Sequence, residues 1–110
     1  MTPRLKAGIF VRALIRRAEV AGASALVVRK GSEEAGTVFL QISRGDGSCT
    51  ILDHVQRGED ACAWIKPLGE TVDEARAKAY FEKQVRLDPD LWIVEVEDRE
   101  GRAFVDDPIL

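Results

Sequence analysis

Thr37-Val38-Phe39-Leu40-Gln41-Ile42-Ser43-Arg44-Gly45-Asp46-Gly47-Ser48-Cys49-Thr50-Ile51-Leu52-Asp53-His54-Val55-Gln56 is the stretch on which the fold turns. Two alternating runs flank Gly45-Asp46-Gly47, and glycine supplies the positive φ that a tight hairpin turn needs. Val38, Leu40 and Ile42 share one face of the first run, with Gln41 and Ser43 on the other. Phe39 breaks the alternation, so the second face carries partial cover too. With Asp46 at the centre of the turn, Leu40 stands opposite Leu52, Ile42 opposite Thr50 and Val38 opposite His54. One apolar face results, and a slip of one residue would turn it to solvent.

Outward from the hairpin, the N-terminal side reads as a helix and a strand. Leu5 to Ala21 carries Ala7, Phe10, Val11, Leu14, Ala18 and Ala21 at the i, i+3, i+4 spacing of one buried stripe. Gly22 follows at the helix end, and Pro3 precedes the start, where a missing N–H costs nothing. Ala25 to Arg29 is short and β-branched, a strand; the polar Gly31 to Gly36 is a turn. On the C-terminal side, a polar turn over 57–60 leads to a fourth strand, Ala61 to Lys66, ended by Pro67 and Gly69. Thr71-Val72-Asp73-Glu74 has the spacing of a capping box with Thr71 as cap, opening a helix from Val72 to Leu87. Its stripe (Val72, Ala75, Ala79, Tyr80, Phe81, Val85, Leu87) is less regular than the first. Asp88-Pro89-Asp90 stops it.

Leu91 to Glu97 is then a strand that begins apolar on both faces, as a central strand does, and ends with Glu95 and Glu97 on one face and Val94 and Val96 on the other. Ala103-Phe104-Val105 offers a short sixth strand, and 106–110 a loose tail. The expected fold is α+β: a two-layer sandwich of about five antiparallel strands with two helices on one face, in the order α-β-β-β-β-α-β, forming a single domain over 1–110.

Composition bounds the function classes. At 110 residues and 45% hydrophobic, the chain is long enough for one core without metals or disulfides, and a net charge of -3 argues against disorder. No run approaches the roughly 18 apolar residues of a membrane span, and the start lacks the pattern of a signal peptide, so a cytoplasmic location is expected. Charge is unevenly placed. Residues 1–30 hold seven Lys/Arg and one acid, a net +6; residues 31–110 hold nine basic and eighteen acidic residues, a net -9. The basic segment is either a site for phosphate-bearing partners or a counterion for the acidic remainder.

Pro3-Arg4-Leu5-Lys6, the Arg16-Arg17 pair, Val27-Val28-Arg29-Lys30-Gly31 and above all Asp88-Pro89-Asp90-Leu91-Trp92-Ile93-Val94-Glu95-Val96-Glu97-Asp98 carry a resemblance. The chain resembles, over nearly its whole length, a bacterial family of single-domain proteins known as domain of unknown function 1491. The resemblance implies a cytoplasmic bacterial protein of unassigned role, and it brings no catalytic or ligand residue with it.

The side chains that carry chemistry are few. His54 is the only histidine; as a general base or metal ligand it would need partners, and Asp53 next door points to the other face. Cys49 and Cys62 lie on different strands, out of line for a disulfide, and read as buried thiols of a reducing compartment. Glu95 and Glu97 project from one face about 6.5–7 Å apart, a spacing compatible with metal or acid–base work and equally with an exposed sheet face. Of the two tryptophans, Trp92 reads as structural and Trp64 as the exposed aromatic. Arg12 and Arg16 share a helix face with Arg17 and Lys6 beside it, a basic patch able to hold phosphates or a carboxylate surface.

No catalytic constellation, metal site or cofactor is therefore expected. The leading reading is a non-catalytic protein-interaction or regulatory module, working with a protein partner or as a homodimer, with Arg12, Arg16, Arg17 and Trp64 as binding candidates. It rests on open sheet edges and on Phe39, Ile51 and Trp64 dotting a face in need of cover. The rivals are nucleic-acid or phosphate binding through the first helix, and a small metal-dependent hydrolase using Glu95, Glu97 and His54. A concave pocket holding His54 or the carboxylates favours the enzyme; an apolar surface patch favours the module.

Overall fold

The structure is a computed structural model that describes residues 5–59 and 61–110. Pro3, read above as preceding the first helix, Arg4 of the stretch that carries the resemblance, and Asp60 of the turn before the fourth strand lie outside the described residues. The elements run α1 (Ala7–Val20), β1 (Ser24–Arg29), β2 (Val38–Ser43), β3 (Ser48–Gln56), β4 (Cys62–Ile65), β5 (Val72–Asp73), α2 (Glu74–Leu87) and β6 (Trp92–Glu97). The fold is α+β.

The β2–β3 hairpin has the register its turn dictates, with Leu40 opposite Leu52 and Ile42 opposite Thr50. Asp46 locks the turn: its carboxylate accepts from the Ser48 N–H and hydroxyl at 2.9 and 2.6 Å. The sheet differs from the expected meander in order and in direction. It runs β1-β6-β2-β3-β4, with β5 pairing the start of β3. Strand β6 is inserted between β1 and β2, antiparallel to the first and parallel to the second, so the sheet is mixed. The physical reason is β6 itself: Trp92, Val94 and Val96 are buried on one side and Ile93 on the other, which only an interior strand satisfies.

The helices cover opposite faces of the sheet, not one. Ala7, Val11 and Leu14 of α1 pack on Val38, Leu40, Ile42, Leu52, Trp64, Trp92, Val94 and Val96. Ala77 and Phe81 of α2 pack on Phe39, Cys49, Ile51, Leu91 and Ile93. The result is three layers and two cores, and the apolar residue that broke the alternation, Phe39, is the one that seats α2. Its ring meets Tyr80 and Phe81 edge-on at 6.0 and 5.8 Å. The buried stripe of α2 is thus centred on Ala77 and Phe81, while Ala75, Ala79 and Leu87 are exposed.

Three further local expectations change. The cap of α2 is Asp73, whose carboxylate accepts from the Arg76 N–H at 2.8 Å, and Val72 belongs to β5. Residues 103–105 form no strand: Phe104 sits at φ 59°, which breaks an extended run, and its ring packs under Arg102. Residues 106–110, expected to trail loosely, close the β4 edge. Trp64 N–H donates to the Pro108 carbonyl at 2.8 Å, Leu110 N–H donates to the Trp64 carbonyl at 2.9 Å, and Ile109 bridges Trp64 in parallel.

Candidate functional site

Two concave regions lie on opposite faces of the sheet. The first is a cleft of about 880 Å³ on the α1 face, between α1 and the C-terminal segment, bordered by Leu5, Phe10 and Val105. His54 stands in it. Its Nε2 lies 2.8 Å from Asp107 Oδ2, and its ring stacks on Trp64 at 4.2 Å and on Phe10 at 5.8 Å. Cys62 completes the group: one imidazole nitrogen, its Sγ and a carboxylate oxygen of Asp107 all lie within 4.8 Å of one another.

The register explains the convergence. His54 pairs with Trp64 and Gln56 with Cys62, so His54 and Cys62 are diagonal neighbours on one face of the β3–β4 hairpin. Asp107 is brought over them because Pro108 is tied to β4 by its carbonyl.

The second region is a groove of about 660 Å³ on the α2 face. Helix α2 covers the β2–β3 half of that face and leaves the β1 side bare. Leu26 and Val28 of β1 are 52% and 55% exposed, in an edge strand where charge or proline usually blocks pairing. Val28, Phe81, Val85 and Ile93 form the apolar floor. Glu74, Lys78, Glu82 and Arg86 line the α2 side, four residues apart and alternating in sign. None of these four makes an ion pair with another described residue.

The binding residues expected from sequence are scattered. Arg12 is held by Glu33 at 3.0 Å, Arg17 by Asp106 at 3.1 Å and Lys6 by Glu34 at 3.3 Å. Arg16 is exposed, with no ion-pair partner among the described residues. The first helix is thus in large part the counterion of acidic segments, and no continuous free basic patch remains among the described residues. Trp64 is not an exposed aromatic: it is 0% exposed, under α1, on the face opposite Phe39 and Ile51. Glu95 accepts from the Ser43 hydroxyl at 3.0 Å and the Gln41 amide at 3.3 Å on the α2 face. His54 is on the other face, so the set Glu95, Glu97 and His54 cannot act on one substrate. The cysteines are both free, and burial pushes the Cys49 thiol above its ordinary pKa.

What sequence reasoning missed was Asp107 as the partner of His54 and Cys62. The signal for half of it was present in the hairpin: the 57–60 turn sets which residue of β4 lies diagonal to His54. No local signal ties the last residues to β4.

No helix among the described residues is long and apolar enough to cross a membrane. No curated protein matches the chain. Residues 5–106 match the family model described as Protein of unknown function (DUF1491). The crystal structure of a DUF1491 family protein from Caulobacter crescentus CB15 is similar at 41% identity and TM-score 0.89, over 97% of this chain and 100% of that one. An NMR structure of a DUF1491 family protein from the same organism is similar at 41% identity and TM-score 0.87, over 99% of each chain. The solution structure of protein Atu0922 from A. tumefaciens matches at 31% identity and TM-score 0.79, over 98% of this chain and 100% of that one. The three-layer arrangement is thus shared by relatives solved in the crystal and in solution, and the chain belongs to the DUF1491 family of proteins of unknown function.

Proposed function

We propose that the protein is a non-catalytic interaction module of the bacterial cytoplasm, and that the surface it works through is the β1–α2 groove. The observation that carries this reading is the bare apolar half-face beside α2, bordered by a charge ladder with no ion-pair partner among the described residues. Exposed apolar area of this kind is retained where a partner covers it.

The occupant that fits is a second copy of the chain. The order Glu74, Lys78, Glu82, Arg86 is self-complementary only when two helices run antiparallel about a two-fold axis. Glu74 of one copy then meets Arg86 of the other, and Lys78 meets Glu82. In a parallel pairing like would face like. Leu26, Val28 and Val85 supply the apolar contact that the charges align. The two free thiols and the bacterial relatives support the reducing setting.

Light scattering on a size-exclusion column tests this. The expected mass is that of a dimer, weakened by salt. The doubly changed Lys78→Glu/Arg86→Glu chain should run as a monomer. Mixing it with Glu74→Lys/Glu82→Lys should restore dimers, because the two ladders become uniformly opposite. A wild-type chain that stays monomeric at every concentration, or an all-acidic ladder that still dimerises, refutes the proposal.

A further inference from the structure

We infer that His54, Cys62 and Asp107 form a binding site for a borderline divalent transition-metal ion, with zinc the best fit, on the face opposite the proposed dimer surface. Three different donors converge there: imidazole nitrogen, thiolate sulfur and carboxylate oxygen, all within 4.8 Å of one another. Around a tetrahedral zinc, with bonds of about 2.0–2.3 Å, donor atoms stand roughly 3.3–3.7 Å apart, so small side-chain adjustments close the set.

The surroundings suit the role. The imidazole plane is already fixed by its stack on the buried Trp64. His54 Nε2 and Asp107 Oδ2, now 2.8 Å apart, need only separate slightly for an ion to replace the proton between them. With thiolate and carboxylate both ionised and the imidazole neutral, the three ligands together carry -2, which a divalent ion cancels. A sulfur and a nitrogen donor select zinc, cobalt or copper over magnesium or calcium, which take oxygen. Three protein ligands leave a fourth position, and the open direction is the cleft of about 880 Å³. That is the arrangement of a zinc ion that holds water or an exchangeable ligand, not of a closed structural site.

Cobalt(II) titration of the chelator-treated protein reads the site directly. One equivalent should bind with a thiolate-to-cobalt charge-transfer band and tetrahedral visible absorption, and zinc should displace it. Cys49→Ser should leave the band intact and Cys62→Ser should abolish it. Outer-shell changes at metal sites cost 10–100-fold in affinity, so losing the direct ligand in Asp107→Asn should cost at least about 100-fold. Asp107 is on the surface segment, so this variant decides the matter if the buried-side substitutions impair folding. The Lys78→Glu/Arg86→Glu chain should bind cobalt as the wild type does, which separates this site from the dimer. No band in the wild-type protein, a band that survives in Cys62→Ser, or undiminished affinity in Asp107→Asn overturns the inference.

Discussion

Phe81→Ala tests the placement of α2 on a face of its own. Phe81 is 7% exposed and, with Ala77 at 0%, is one of the two buried residues of that helix. Its ring meets Phe39 and Tyr80 edge-on, each at 5.8 Å. A helix of 14 residues is marginal alone in water, so α2 persists because this contact holds it. Truncating a buried phenylalanine costs about 3–5 kcal/mol, the aromatic pairs included. Against a total stability of roughly 5–15 kcal/mol, that is a large share. At about 4 °C per kcal/mol for a domain of this size, the melting temperature should fall by roughly 12–20 °C. Denaturation followed by circular dichroism gives both numbers. Leu87→Ala at the end of the same helix, 71% exposed, is the control and should stay within about 0.5 kcal/mol. A loss below about 1 kcal/mol for Phe81→Ala would mean that α2 does not seat on Phe39, and the three-layer arrangement would fall with it.

Two other outcomes follow from local geometry. The Arg102 guanidinium and backbone N–H grip the Asp98 carboxylate at 2.8–3.0 Å and hold its pKa down to about 2. Its unfolded value is near 3.9, so the stabilisation is present above about pH 4 and is lost as pH falls toward 2. The stability gap between wild type and Arg102→Gln in urea melts should therefore shrink as pH drops from 6 to 2, and an unchanged gap would refute the pairing. Gly31 stands so close to the chain after α2 that a Cβ would strike the backbone carbonyl of Asp90 and the backbone of Leu91. Backbone yields less than a side chain, so Gly31→Ala should cost about 1–3 kcal/mol in the same melts, and a neutral result would show that the 31–36 loop does not pack there.

Local order was legible because its causes are local. The Gly45-Asp46-Gly47 turn and two-residue alternation set the β2–β3 register, the stripe from Ala7 to Ala18 marked the buried side of α1, and the doubly apolar start of β6 announced an interior strand. Arg12, Arg16 and Arg17 were legible as one helix face, but whether that face was free depended on Glu33 and Asp106, one of them 89 residues away along the chain. Trp64 looked exposed because Ala63 and Cys62 precede it, but what buries it is α1, with Phe10 and His54 stacked on its ring.

Periodicity reports which residues of an element share a side; it does not report which element lies against that side. That second choice is made by shape and burial across long chain separations, where loop closure is paid once and many contacts share it. It put α1 and α2 on opposite faces although each shows one apolar stripe, slid β6 between β1 and β2, and drew Asp107 over a hairpin more than forty residues earlier. The residue types for metal ligation were written in the chain, and only their assembly in space made them a site.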